Sequence, residues 1–253
     1  MRNDEYSRMF AVEDTFWWYV ALRRILVQET PKRLGSFGSN RNTQREEPWI
    51  LDAGCGTGAN LAALSPFGRC IGVDISTIAL KLARRRGLSN LVRGSVLQLP
   101  VRPESVDVLL SIDVLYHVWV KDDLAALMEY YKALRPGGWL IVHVAAHEWL
   151  RGSHDEVVMT RHRYTLKELV ERVESAGFRV HRQTYRNTFV LPLMLIARVL
   201  GRGKSKSESD LRPLPRWLNT LLLAVMRVEE FVQSFTNLPI GSSAYVVAQK
   251  PLT

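Results

Sequence analysis

The sequence predicts a doubly wound α/β domain, and three observations predict it. From Trp49 onward, short apolar runs alternate with helical patterns, as in consecutive β-α units of a parallel sheet. The first run leads into a Gly-rich turn, Gly54-Cys55-Gly56-Thr57-Gly58. The second ends at Asp74, 22 positions after Asp52, where an acidic side chain can accept hydrogen bonds from both hydroxyls of a ribose.

Taken in chain order, residues 10–28 carry the aromatic cluster Phe16-Trp17-Trp18-Tyr19, then Arg23-Arg24 and apolar residues at helical spacing, and predict a helix ahead of the core. The polar stretch 35–47 reads as a linker. Strands are expected at 49–53, 70–74, 90–93, 106–111 and 139–145. Ser76 caps a helix that runs to Gly87, and Leu124, Leu127, Met128 and Tyr131 mark the apolar face of another. Thr165 and Glu168 have the spacing of a capping box, for a helix that stops at Gly177.

Two late strands are expected at 178–185 and 243–249, and the more than fifty residues between them are too many for an ordinary loop. The apolar run 189–196, the basic loop 201–210, the turn at Pro213 and Pro215, and a helix over 217–235 predict a helical hairpin that caps the substrate side of the sheet. The apolar face of that last helix is expected to carry Leu218, Leu221, Leu222, Val225, Val228 and Val232. A helix pair resting on a membrane or on a second subunit is the alternative. The chain therefore divides into an N-terminal helical lid and linker, 1–47, and a cofactor-binding domain, 48–253, with an insertion at 187–241.

Of the 253 residues, 47% are hydrophobic and 23% charged, the balance of a globular protein. The first residues lack the apolar core of a secretory signal, and no segment reaches the roughly 18 apolar residues of a membrane span. A cytoplasmic protein is expected, with peripheral contact at the inner face of the membrane through 189–235 as a further expectation. Cys55 and Cys70 lack metal-ligand spacing and read as small buried hydrophobes, and no metal site is expected. A net charge of +9 suggests an anionic partner. The arginine groups, Arg84-Arg85-Arg86 among them, lack interleaved aromatics and read as solvated surface or as helix C-terminal charges, so nucleic acid is not the expected partner. Oligomeric state is not legible.

Strand, glycine turn, helix and acid in order predict a nucleoside-containing ligand at the carboxyl ends of the strands. Gly54, Gly56 and Ala59 also satisfy the dinucleotide spacing, which leaves an NAD-dependent oxidoreductase open. Four ordered motifs weigh against it: Leu51 to Gly58, Gly72 to Ser76, Leu99-Pro100 with Ser105-Val106-Asp107, and Leu134-Arg135-Pro136-Gly137-Gly138. With them the chain resembles the class I S-adenosylmethionine (SAM) dependent methyltransferases, in their type-11 branch. The resemblance implies a Rossmann-like class I methyltransferase fold, with a seven-stranded, mostly parallel sheet, an antiparallel final hairpin, and SAM as cofactor. It implies that Gly54, Cys55, Gly56 and Gly58 shape the methionine-side pocket with Asp52 below it, that Asp74 and Ile75 hold the ribose, and that Ser95, Val96 and Leu97 meet the adenine. Ser95 departs from the acidic residue common at that place and can accept one hydrogen bond.

In Ser111 to His117 the resemblance implies that Asp113 and a histidine face the methyl donor; His117 is the candidate general base, since a neutral imidazole can take a hydroxyl proton. Trp17, Trp18, Tyr19, Arg23, Tyr116, His147 and His154 are candidates for the acceptor site and its lid, with Arg23 facing a carboxylate, and His143 reads as a sheet residue. The cluster at 17–19, the stretch 146–164 and the closing Leu238 to Ser242 resemble a bacterial subgroup of accessory enzymes in polysaccharide or natural-product pathways. The expected function is methyl transfer to a small-molecule, sugar or lipid-linked acceptor, anionic or not, with oxygen favoured over nitrogen or carbon. Its rivals are a non-catalytic SAM-binding or membrane-docking module, and the NAD-dependent oxidoreductase, for which a Tyr-x-x-x-Lys is missing. A nucleic-acid methyltransferase would want an Asn-Pro-Pro-Tyr type motif, also missing.

Overall fold

A computed structural model describes residues 3–36, 47–200 and 214–252. Seven strands form one sheet in the order β3-β2-β1-β4-β5-β7-β6. They are β1 (Trp49–Ala53), β2 (Arg69–Asp74), β3 (Leu91–Arg93), β4 (Val106–Ile112), β5 (Leu134–Ala145), β6 (Arg179–Arg186) and β7 (Ser243–Gln249). All pairings are parallel except those of β7 with β5 and β6. This is the expected mostly parallel sheet with its antiparallel final hairpin.

The helices are α1 (Asn3–Val12), α2 (Trp17–Ser36), α3 (Ala59–Leu64), α4 (Thr77–Arg84), α5 (Asp123–Ala133), α6 (Ser153–Val158), α7 (Leu166–Ser175), α8 (Leu191–Leu200) and α9 (Arg216–Gln233). Alternate residues of a strand face opposite sides of the sheet, and both sides are covered. Leu51, Leu109, Leu140 and Val246 pack with Leu127 and Tyr130 of α5 and Leu169 of α7. Ile50, Val108, Ile141 and Val247 pack with Leu22, Ile25 and Leu26 of α2. Every residue of β4 is therefore buried, Asp107 and Ser111 included, which is why the segment is apolar at five of its seven positions.

Several expectations are corrected. The N-terminal helix is two helices, broken between Val12 and Trp17, and α2 runs on to Ser36 into the expected linker; residues 37–46 lie outside the described residues. The fifth strand begins at Leu134, not 139, so the glycine pair lies within it, next to an irregularity in its pairing with β4. On α5 the buried face is Ala126, Leu127, Tyr130 and Ala133, with Met128 left 58% exposed. The Thr165 hydroxyl does accept the Glu168 amide, but the Glu168 carboxylate meets His162 Nε2 instead of closing the box. On α9 the inward stripe is Leu222, Met226, Glu229 and Gln233, while Leu221 and Val228 face out. The loop 201–210 and Pro213 lie outside the described residues.

The rotation of α9 has a physical cause. The chain leaves β6 through Asn187, whose φ of +59° breaks the sheet pattern, and its exit leaves backbone N–H groups to be satisfied. The Glu229 carboxylate accepts from the amides of Asn187 (2.7 Å) and Phe189 (2.9 Å), beside the fully buried guanidinium of Arg186. Gln233 donates to the carbonyl of Tyr185. At the other end of α9, Asn219 accepts from Trp17 N and donates to Thr15 O, both at 2.9 Å, which ties α9, the second helix of the expected hairpin, to the start of α2.

Two stability predictions follow from buried charges. Replacing Glu229 by Ala strands two buried amides and the Arg186 charge, and should cost about 3–5 kcal/mol in urea unfolding; a loss no larger than that of the partly exposed Glu230→Ala would show that Glu229 does not hold the hairpin. Asp52 in β1 is 1% exposed, and neither carboxylate oxygen has a hydrogen-bond partner. Burial, with a smaller contribution from the Asp74 charge, pushes its pKa up to about 7. Its neutral form thus favours folding below the unfolded-state pKa of about 4, and that contribution is lost as pH rises through 7. With no cofactor added, Asp52→Asn should match the parent near pH 4 and gain up to about 4 kcal/mol on it at pH 8; a gap that does not change with pH would refute this.

Candidate functional site

The chain runs from β1 outward to β2 and β3, then returns to β4 on the other side, so the carboxyl ends of β1 and β4 flank a crevice. The glycine turn closes the end of β1. Gly54 has a φ of +96°, and a Cβ there would lie 2.3 Å from a methyl of Val114, so both conformation and space exclude a side chain. The Asp74 carboxylate braces the turn: one oxygen accepts from Gly56 N and the other from Ser76 N, each at 2.8 Å. Burial raises the Asp74 pKa, and these two amides act against the rise. Each oxygen keeps a further lone pair for a ligand.

The crevice opens into a cavity of about 1030 Å³, at the upper limit of pockets that hold one drug-sized ligand. Of the expected cofactor residues, Gly54, Cys55, Gly56, Asp74 and Ile75 line it, as do Ser95, Val96 and Asp113. Three do not. Asp52 is sealed below the turn, Gly58 sits at the N-terminus of α3 against Leu88 and Ala83, and Leu97 packs on the core. The Ser95 hydroxyl already accepts from the Leu97 amide at 3.1 Å.

Helix α1, missed in the sequence, supplies Tyr6 and Met9 to the cavity wall beside Asp74 and Gly56. Its acidic first turn, Asp4-Glu5, followed by Tyr6, Met9 and Phe10 at helical spacing, is the signal that could have found it. The break after α1 is held to the glycine turn by a buried ionic knot. Glu13 Oε1 accepts from the Thr57 hydroxyl and from Arg86 Nη2 (2.8 Å), and Arg86 also donates to Thr57 O and to Asp14. Arg86 is therefore a cross-link and not the solvated charge expected of it. Arg23 donates to the Glu13 carbonyl, lies 3.9 Å from Asp14 and lines the cavity.

The far side of the cavity gathers Trp17, Trp18, Tyr19, Tyr116, His117 and His154 from the expected acceptor set. His147 is the exception: with a φ of +59° it stacks between Trp149 and Tyr185 and lines no part of the cavity. Burial lowers the His117 pKa to about 4, which keeps the imidazole neutral at physiological pH, and its Nδ1 is buried without a partner. His143 lies within β5 as expected, 1% exposed, yet its Nδ1 is 3.1 Å from Asp113 Oδ1, and it meets Trp18 edge to face. Asp113 itself has a φ of +59° and donates its amide to the His143 carbonyl. Arg151, not singled out in the sequence, and Arg163, part of the stretch 146–164 that carries the subgroup resemblance, also reach the wall; Arg163 is paired with Asp155 at 2.8 Å.

The residues present suit an adenosyl cofactor. Asp74, whose oxygens keep lone pairs for hydroxyl groups, the unobstructed glycine turn, and Ser95 and Val96 line one cavity. Among the described residues no group of acidic, His or Cys side chains suits a metal ion.

A family profile described as a methyltransferase domain matches residues 51–142. A probable SAM-dependent methyltransferase of Mycolicibacterium smegmatis is 31% identical over 135 residues, 52% of this chain and 52% of that protein. A methyltransferase of Encephalitozoon cuniculi is 30% identical over 159 residues, 55% of this chain and 74% of that one. Among solved structures, a SAM-dependent methyltransferase of Thermotoga maritima shares the fold with a TM-score of 0.57 at 22% identity, covering 98% of this chain and 95% of that one. The match spans about half the length of the M. smegmatis protein. The names of other relatives disagree over the acceptor, from tRNA to malonyl-[acyl-carrier protein]. By its motifs, its strand order and these relatives, the chain belongs to the class I SAM-dependent methyltransferases, in their type-11 branch.

Proposed function

We propose that this protein transfers the methyl group of SAM to a hydroxyl of a small-molecule, sugar or lipid-linked acceptor. The observation that carries the reading is that the cofactor turn and the cluster of Tyr19, Tyr116 and His117 line one continuous cavity. Bound SAM supplies an electrophilic methyl, whose bond to sulfur breaks as the bond to the acceptor oxygen forms, leaving S-adenosylhomocysteine and a proton. Asp74 binds the ribose hydroxyls and Ser95 the adenine. Asp52 favours the ammonium of the methionine moiety from beneath the turn, where its two unpartnered oxygens lie. Arg23, whose nearest acidic partner is 3.9 Å away, faces the carboxylate. The Trp17 to Tyr19 segment and α1 exclude water from the reacting atoms.

His117 accepts the hydroxyl proton. Its low pKa keeps it unprotonated at physiological pH, at the cost of weak basicity, so most of the acceleration falls to positioning. The outward apolar side chains of α9, among them Phe231 (68% exposed), and Phe235 just beyond its end (77% exposed) support peripheral contact of 189–235 with a membrane. No helix among the described residues is long and apolar enough to cross one.

Calorimetry tests the cofactor first. SAM and S-adenosylhomocysteine should bind, NAD should give no saturable heat, and Asp74→Ala should weaken the adenosyl ligands about tenfold or more. Binding of NAD in their place would restore the oxidoreductase, and binding of SAM with no acceptor ever turned over would favour the non-catalytic module. With an acceptor that does turn over, His117→Ala should lower kcat about 100-fold, with SAM affinity kept. The parent rate should be level in the His117 ionisation between pH 6 and 8, because that group titrates near 4. An unchanged kcat would remove His117 from the chemistry.

A further inference from the structure

We propose that the acceptor is an amphiphile with a long hydrocarbon chain, its reacting head beside Tyr116 and His117 and its chain laid between α2 and the α8–α9 hairpin. The inference rests on the methyltransferase reading and narrows its acceptor.

The cavity has two chemically different parts. Around the glycine turn and the segment after β5 it presents carboxylates, hydroxyls, guanidinium groups and imidazoles. Along the hairpin it is lined by Val190, Leu193 and Met194 on one side and by Leu214, Leu218 and Leu222 on the other. None of these six side chains carries a hydrogen-bond donor, and only the Met194 thioether is a weak acceptor. Val190, Leu218 and Leu222 pack with Trp17 and Trp18, and Trp18 also meets His143 edge to face.

A sugar ring or a nucleobase placed along the hairpin would give up its bonds to water for nothing, and each stranded polar group would cost a factor of about ten in affinity. A hydrocarbon chain gains there, by about fourfold for each methylene buried. The cavity volume admits such a chain in addition to a cofactor. The shape of its mouth agrees: Leu193 and Met194 line the cavity and are still 47% and 38% exposed, so the apolar wall continues to the surface. Ile196, 56% exposed, extends it one helical turn outward.

The test is competition by straight-chain primary alcohols, hexanol to dodecanol, against the fluorescent probe 11-(dansylamino)undecanoic acid, in the presence of saturating S-adenosylhomocysteine. Affinity should rise about fourfold per added methylene until the chain fills the slot. Leu193→Asp and Leu218→Asp, both on partly exposed side chains, should each weaken dodecanol at least tenfold and leave S-adenosylhomocysteine affinity within twofold, which also reports that the variants are folded. A flat series in a protein that binds S-adenosylhomocysteine overturns the hydrocarbon slot and leaves the methyltransferase reading standing. Failure of the parent to bind S-adenosylhomocysteine refutes that reading instead. Self-association that buries the mouth, seen by sedimentation and undisturbed by dodecanol, would assign the surface to a second copy of the chain and overturn the proposal. If an aspartate variant does not fold, the chain-length series of the parent alone decides.

Discussion

The structure depends on one constraint: β1 and β4 are covered on both faces, so even the polar side chains along them, Asp52, Asp107 and Ser111, are buried. Leu51 and Leu109 are closed in by α5 and α7, Ile50 and Val108 by α2. Only the ends of the strands are open, and the ends of β1 and β4 diverge because the chain is wound to opposite sides of that pair. The first turn cannot be braced by a side chain of its own, since its glycines leave the space for a ligand. The brace comes from the neighbouring strand. Asp74 ends β2 in register just beyond Val73, the partner of Ala53, and its carboxylate fixes the Gly56 and Ser76 amides together. Sheet register and the shape of the binding turn are thus one feature.

The N-terminal helices complete the site by a similar economy. A buried carboxylate is costly unless paired, and Glu13, 4% exposed, is paired both with Arg86 at the end of α4 and with the Thr57 hydroxyl of the glycine turn. The same guanidinium reaches the Thr57 carbonyl, so cover, turn and α4 share one cation. Placing Arg86 on the surface of α4, where helix geometry alone puts it, misses this because its partners lie over seventy residues away. Two carboxylates and a carbonyl, contributed by chain far removed in sequence, decide its role.

That contrast explains what was legible in the sequence. Most strands were legible to within a residue, because turn residues bound their short apolar runs; β5 was not, since its first five residues, Leu134 to Gly138, carry the proline and glycine pair of a turn. Asp74 and Gly54 were legible because the conformation and the ligand they serve are local. The faces of α5 and α9 were not. Apolar spacing gives a helix two candidate stripes, and on α9 the choice is made by Glu229 and Gln233, polar residues that turn inward to satisfy amides and carbonyls at the end of β6. Counting apolar positions points to Leu221 and Val228 and misplaces both. His147 was misplaced for a related reason: a left-handed backbone at that residue turns the ring onto Tyr185, and nothing in the neighbouring sequence announces it.

The electrostatics of the cavity bear on how the proposed reaction would be accelerated. A sulfonium cation becomes a neutral thioether, so a free carboxylate at the methyl would stabilise the starting state more than the transition state and slow the transfer. Asp113 is the acidic group that the proposed reaction puts at that place, and it is not free: its side chain is held by His143 Nδ1 and its amide by the His143 carbonyl. The tie fixes the direction of the carboxylate against an imidazole that is 1% exposed and meets Trp18 edge to face. The other imidazole, His117, is held neutral by burial but is a weak base near pKa 4. Neither group supplies a large chemical push. Orientation can supply effective molarities of about 10⁵ M or more, against roughly 10²- to 10⁴-fold for general base catalysis. The burden therefore falls on whatever fixes the acceptor relative to the methyl, and for the proposed amphiphile that grip is the apolar wall given to the cavity by Val190, Leu193, Met194, Leu214, Leu218 and Leu222.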